Sequence, residues 1–204
     1  MDKVEFILDE LKKIFPEAKC ELKHENNFEL ICAVCLSAQT TDERVNMVTP
    51  SLFERYPTCY DLKDANLYDL ENIIKSIGLY HNKAINLIKM SKMLCDEFDG
   101  VVPNNMRDLV KLHGVGRKTA NVVLSVGFDI PAFAVDTHVS RVSKRLGLVK
   151  KEDDVLAVET KLKRKIPKNE WNNTHHLFIF FGRYLCKAQK PECEKCPFIS
   201  ICKK

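Results

Sequence analysis

Apolar residues recur three and four positions apart along nearly the whole chain, and no stretch alternates apolar with polar as a half-buried strand would. Val4, Ile7, Leu8, Leu11, Ile14 and Phe15 form one stripe that Pro16 stops. Val45, Val48, Leu52 and Phe53 form another that stops before Pro57. Ile73, Ile74 and Ile77 lead into Gly78, while Ile85, Leu87, Ile88 and Leu94 follow it. Val122, Val123 and Val126 lead to Gly127, and Val139, Val142 and Leu146 to Gly147. Cap-forming residues stand where such helices should begin: Thr40 and Thr41 before Asp42 and Glu43, Asn104 before Met106, and Asp136 before Val139. The pattern predicts an all-α protein of about ten helices with short connections. With 204 residues and 45% hydrophobic composition, the chain suffices for one large helical domain or two small ones with real cores.

Four of the nine cysteines crowd together as Cys186-x6-Cys193-x2-Cys196-x5-Cys202. The N-terminus carries mixed charge (Asp2, Lys3, Glu5) rather than a signal-peptide pattern, and no apolar run approaches the length of a bilayer span. The expectation is a cytoplasmic protein with no membrane partner, its thiols free or metal-bound rather than oxidised. Loops this short make four thiolates converge, and both a [4Fe–4S] cluster and a four-cysteine zinc site need four such ligands. A zinc ribbon usually offers two separated C-x-x-C knuckles; this segment has one, which weighs against zinc. Four buried thiols are the plain alternative. Cys32-x2-Cys35 has a similar spacing, but it lies in an apolar helical run and reads as two core cysteines.

The net charge of +4 hides an asymmetry. Residues 1–102 carry 12 Lys/Arg against 18 Asp/Glu, and residues 103–204 carry 20 against 10. A basic half suggests a face built for a polyanion, although solvated surface lysines give the same count. The basic half opens on Leu112-His113-Gly114-Val115-Gly116-Arg117-Lys118-Thr119-Ala120, a G-x-G turn between two helical stripes. Glycines there let backbone N–H groups approach a phosphate, and the helix starting near Arg117 adds its positive end. This is a helix–hairpin–helix, which grips the DNA backbone without reading bases. Lys118 falls in the first turn of the second helix. The helix dipole there, with partial burial, disfavours the ammonium and makes a neutral amine nucleophile available; a plain phosphate-contacting lysine fits equally. Asp136, after the apolar approach of residues 131–135, reads as an N-cap or as an active-site carboxylate eighteen residues past Lys118, facing the same cleft.

Five segments together resemble the endonuclease III family: CLSAQTTD (35–42), GLYHNKA (78–84), LHGVGRKTANVVL (112–124), AVDTHVSRV (134–142) and the cysteine spacing. They cover nearly the whole chain in family order. The resemblance implies two all-α domains flanking a DNA cleft. One is a six-helix barrel with the helix–hairpin–helix, residues 20–131; the other is a discontinuous domain, residues 1–19 and 132–204, carrying a [4Fe–4S] cluster. It implies a monomeric, nucleoid-associated, prokaryotic-type enzyme of base excision repair acting on double-stranded DNA with damaged pyrimidines or abasic sites. That enzyme is a bifunctional DNA glycosylase and apurinic/apyrimidinic lyase.

By the same resemblance Lys118 is the nucleophile, Asp136 the catalytic carboxylate, and Cys186, Cys193, Cys196 and Cys202 the cluster ligands. Gln39 fills the gap left by a flipped base and Leu79 wedges into the stack, where the bland readings are a buried amide and a core leucine. His113, Gly114, Val115, Gly116 and Arg117 contact the DNA backbone, and Lys187 and Lys190 on the cluster loop meet phosphates. The family often has proline where this chain has His113, a change expected to alter the turn's stiffness more than its chemistry. Two rivals share some of these features. An adenine-type mismatch glycosylase lacks the hairpin lysine, and a non-catalytic DNA-binding iron–sulfur protein leaves Lys118 and Asp136 unexplained.

Overall fold

The computed structural model describes residues 2–203, and no strand occurs among them. Eleven α-helices are present: α1 (Lys3–Ile14), α2 (Asn27–Leu36), α3 (Asp42–Arg55), α4 (Cys59–Leu62), α5 (Leu67–Ile74), α6 (Tyr80–Phe98), α7 (Met106–Leu109), α8 (Arg117–Val122), α9 (Thr137–Arg145), α10 (Val155–Lys165) and α11 (Trp171–Tyr184). No helix of the described residues is long and apolar enough to cross a membrane.

Local chemistry accounts for most boundaries. Thr41 caps α3 by accepting from the Arg44 N–H (3.3 Å), with Asp42 and Glu43 in the first turn. Asp154 caps α10 through the Ala157 N–H (2.7 Å), and Lys163, Arg164 and Lys165 occupy its last turn. The cap of α7 is Asn105, which accepts from the Asp108 N–H (3.0 Å), not Asn104. Two asparagines stand side by side, and only their backbone geometry separates them. The valine stripe before Gly127 also departs from expectation: α8 ends at Val122 and the chain continues as a π-helical turn, Val123–Gly127. A Cβ at Gly127 would lie 2.5 Å from Asn27 Oδ1 and 2.9 Å from a Leu30 methyl, so the π turn packs directly onto α2.

The chain divides into two compact units, Glu21–Ile130 and a discontinuous unit of Met1–Cys20 with Pro131–Lys204. The first holds α2 to α8. Its buried side chains, among them Leu30, Ile31, Leu52, Leu62, Leu70, Ile74, Leu87 and Leu94, come from the apolar stripes of those helices. The second holds α1, α9, α10 and α11 around Ile7, Leu11, Phe133, Val139, Phe178 and Phe181. Phe198, from between Cys196 and Cys202, is fully buried in that core. It meets Phe181 and Phe6 edge-on, with ring centroids 5.3 and 5.9 Å apart. Burying it contributes about 2–3 kcal/mol and plugs the cysteine segment into the core.

Candidate functional site

Within the Glu21–Ile130 unit, the hairpin joins α7 to α8. Leu112 and Val115 turn inward and are buried, whereas His113, Gly114, Gly116, Arg117 and Lys118 are exposed. Val115 therefore offers no side chain to DNA, and its N–H already donates to Leu112 O (3.1 Å). The two glycines differ. Gly114 has φ +77°, and a Cβ on it would stand 3.1 Å from Asn86 Cβ of α6. Gly116 has extended backbone, and an added Cβ would meet nothing within 4 Å. Gly114 is required by the fold, and Gly116 leaves open space outside it. The Cys35 thiol of α2 approaches Gly114 O at 3.7 Å, so this core cysteine also touches the hairpin. Lys118 sits in the first turn of α8 and makes no hydrogen bond or ion pair among the described residues. The partial burial expected at Lys118 is absent.

The same unit brings Gln39 and Leu79 together. Gln39 is exposed with φ 56°, and Leu79 is 58% exposed with φ 59°. Neither is a buried amide or a core leucine. Left-handed backbone costs a non-glycine residue on the order of 1 kcal/mol, so the surroundings must hold both in place. Those surroundings include a residue that sequence reading missed, Lys83. It is buried in α6, and its ammonium donates to Leu36 O (2.9 Å), Ala38 O (2.6 Å) and Thr40 Oγ1 (3.1 Å). Burial pushes the pKa of Lys83 down, opposed by the nearby Cys35 sulfur.

In the other unit, Asp136 caps α9: Oδ1 accepts from the Val139 N–H at 2.7 Å. Oδ2 has no hydrogen-bond partner among the described residues. From the same helix Arg141 donates to Cys186 O (3.1 Å) and Gly182 O (2.8 Å). Arg145 donates to Lys187 O (2.8 Å) and Ala188 O (3.2 Å), and lies 3.4 Å from Cys186 Sγ. These two arginines, at helical i,i+4 spacing, fix the start of the cysteine segment to α9, and sequence reading missed both. A lysine expected to meet phosphate is engaged here, since Lys187 Nζ pairs with Glu192 Oε1 at 2.7 Å. Lys195 pairs with Oε2 of the same carboxylate at 3.2 Å. These two hydrogen bonds hold Glu192 below the usual carboxylate range. Lys190 is exposed with φ 47°.

All four of Cys186, Cys193, Cys196 and Cys202 line one hollow of about 330 Å³, counted with its open side, together with Arg145, Leu185 and Glu192. Burial raises the pKa of the Cys196 thiol, as do the other three cysteines. Yet among the described residues no three His, Cys, Asp or Glu side chains are close enough to hold a single metal ion. Four thiolates that line one hollow without three of them converging on a point fit a group in which each thiolate has its own metal atom better than a single zinc ion, which draws its sulfurs to roughly 3.8 Å from one another.

Residues 32–168 match the family model described as HhH-GPD superfamily base excision DNA repair protein. The endonuclease III of Bacillus subtilis (strain 168) is 56% identical over 203 residues, spanning 100% of this chain and 93% of that protein. The chain belongs to the endonuclease III family. Two solved structures of that family follow the fold from end to end. A trapped endonuclease III–DNA covalent intermediate gives a TM-score of 0.96 at 56% identity, and a non-covalent endonuclease III–DNA complex gives 0.96 at 55%. Each match covers 100% of this chain and 96% of the other.

Proposed function

We propose that this endonuclease III family member is a bifunctional DNA glycosylase and apurinic/apyrimidinic lyase. It removes oxidised pyrimidines from duplex DNA in base excision repair, with Lys118 as its nucleophile. The observation that carries the reading is Lys118 itself. It is an exposed amine with no ion pair, two residues past the open space at Gly116, in a chain 56% identical to a protein trapped covalently on DNA.

The exposed residues of the hairpin, His113, Gly114, Gly116 and Arg117, hold the DNA backbone, and the damaged nucleotide leaves the stack. Unpairing costs a few kcal/mol and less for a damaged base, so extrusion itself favours lesions. Gln39 takes the vacated space and Leu79 wedges beside it. The neutral Lys118 amine forms a bond to C1′ as the glycosidic bond breaks, and the base departs with the electron pair and takes up a proton. The ionised Asp136 stabilises positive charge developing on the sugar and on the attacking nitrogen; its Oδ2 is the oxygen left over from capping. Opening of the sugar leaves a Schiff base on Lys118. Loss of a proton from C2′ then expels the 3′ phosphate, and hydrolysis returns the lysine.

Cys186, Cys193, Cys196 and Cys202, which line one hollow without converging on a single ion, would hold a [4Fe–4S] cluster. Its contribution would be structural, with the four cysteines pinning the loop that carries Lys187 and Lys190. The protein is read as a monomer of the bacterial cytoplasm, associated with the nucleoid. An adenine-type mismatch glycosylase is disfavoured by Lys118, and a non-catalytic DNA-binding protein by the covalent complex of its relative.

Borohydride reduction during turnover tests the assignment. The wild-type chain becomes attached to duplex DNA containing thymine glycol or an abasic site, and Lys118→Ala does not. Covalent trapping of the alanine variant at wild-type yield rules out Lys118.

A further inference from the structure

Two exposed residues with left-handed backbone, Gln39 and Leu79, stand on different loops that touch each other. A methyl group at Gly78 would lie 3.7 Å from Gln39 O and 3.8 Å from Thr40 Oγ1. Lys83 is bonded to both loops. Its backbone N–H donates to Leu79 O (3.1 Å), and its ammonium reaches Leu36 O, Ala38 O and Thr40 Oγ1 on either side of Gln39. All three ammonium protons are in use, and the residue is 7% exposed. The acceptor Leu36 O belongs to the last residue of α2, where a helix presents its negative end. A buried lysine is costly to desolvate, and no acid in the hydrogen-bond set offsets that cost. A core with no demand on these loops would be served by leucine or methionine at this position of the helix.

We propose that Lys83 is a positioning residue that locks the Gln39 loop and the Leu79 turn into one rigid pair, so that both enter the base stack together. The proposal rests on the reading that these two residues replace the extruded nucleotide. Lys83 touches neither DNA nor the reacting atoms. Its contribution is to remove the freedom of two strained loops before DNA arrives, so that binding energy is not consumed in ordering them.

The distinguishing substrate is a single-stranded oligonucleotide with an abasic site, which needs no extrusion and leaves no gap to fill. Lys83→Met keeps the length of the side chain and removes the ammonium. Single-turnover excision of thymine glycol from duplex DNA falls by about 100-fold. Trapping on the single-stranded abasic site stays within roughly 2-fold of wild type, the scale of a substitution outside the chemistry. A fluorescent adenine analogue opposite the lesion reports slower unstacking. Adding Lys83→Met to a Gln39→Ala, Leu79→Ala double variant costs little more, because the three act as one unit. Should Lys83→Met not fold, Thr40→Val removes one acceptor and lowers duplex excision in the same direction by a smaller factor. Equal losses on the two substrates, or full additivity with the double variant, overturn the positioning role. Wild-type duplex excision by the double variant overturns the reading of Gln39 and Leu79, and the proposal falls with it.

Discussion

The loops of the Glu21–Ile130 unit and the cysteine segment of the other unit are both irregular, and they are held by different means. Gln39, Leu79 and Gly114 adopt left-handed backbone on the surface, and groups beneath them, Lys83 and Asn86 of α6 and Cys35 of α2, fix them with polypeptide contacts alone. Residues 186–202 contain one short 3-10 turn, Cys193–Lys195, and otherwise no regular element. They are tied by arginine donors to backbone carbonyls, by the Phe198 plug and, on our proposal, by the cluster. On our proposal, the loop that shapes the base stack is built from the chain's own interior, and the loop that adds charge near the DNA backbone relies in addition on an inorganic group.

The largest break in that contrast should come from removing the proposed cluster. Cys196→Ser should abolish its visible absorption, and amide exchange across 185–203 should accelerate by orders of magnitude, because metal-binding energy is folding energy there. Exchange in α2, α6 and the hairpin of the first unit should stay slow. Equal acceleration in both units, measured by hydrogen exchange and mass spectrometry, would show that the first unit also relies on the cluster.

The two hairpin glycines give the next largest effect and separate fold from function within three residues. Gly114→Ala forces a Cβ into left-handed backbone 3.1 Å from Asn86 Cβ and should cost about 1–3 kcal/mol in thermal or denaturant unfolding. Gly116→Ala meets nothing, and its extended backbone suits alanine, so stability should stay within about 0.5 kcal/mol of wild type. Its effect should appear as weaker binding to every duplex, since the methyl group occupies space left for a phosphate. Unchanged duplex affinity for Gly116→Ala would remove that surface from the DNA interface.

Much of this architecture was legible before any coordinates. The stripes ending at Pro16 and before Pro57 follow from helical period and from residues that stop helices, whereas α5 ends at Ile74, short of Ile77 and Gly78, and Thr41 and Asp136 cap where their oxygens can reach a backbone N–H. What was not legible lies in contacts between residues far apart in sequence. Lys83 reaches partners 43 to 47 positions away, and Arg145 reaches carbonyls 41 to 43 positions away. One signal was present for Lys83: it shares the i,i+4,i+7 stripe of Leu87 and Met90, both buried. A charged residue in register with a core stripe asks for buried acceptors, and the sequence pattern does not name them. The inward turn of Val115 was not legible either: a hairpin that offers backbone to DNA still needs an apolar side chain to anchor it. The shift from α to π geometry after Val122 has no sequence signal that we can identify.

The smallest effect sharpens the charge carried by the cysteine loop. Glu192 neutralises Lys187 at 2.7 Å and Lys195 at 3.2 Å, so as it stands this loop presents less positive potential than its lysines suggest. The pairs are solvent-exposed, and breaking such pairs changes stability little. Glu192→Gln should therefore leave thermal stability nearly unchanged while releasing both ammonium groups. If Lys187 then meets a phosphate, duplex affinity rises and the slope of log affinity against log salt steepens by about 0.9 for each new contact. Lys187→Ala in that background should return one such increment, and Lys190→Ala in the wild type should lose one. A titration of salt dependence across these variants reads the loop's contribution directly. An unchanged slope in Glu192→Gln would mean that the loop stays clear of DNA, and that the cluster stabilises the fold of its own unit without adding to the DNA interface.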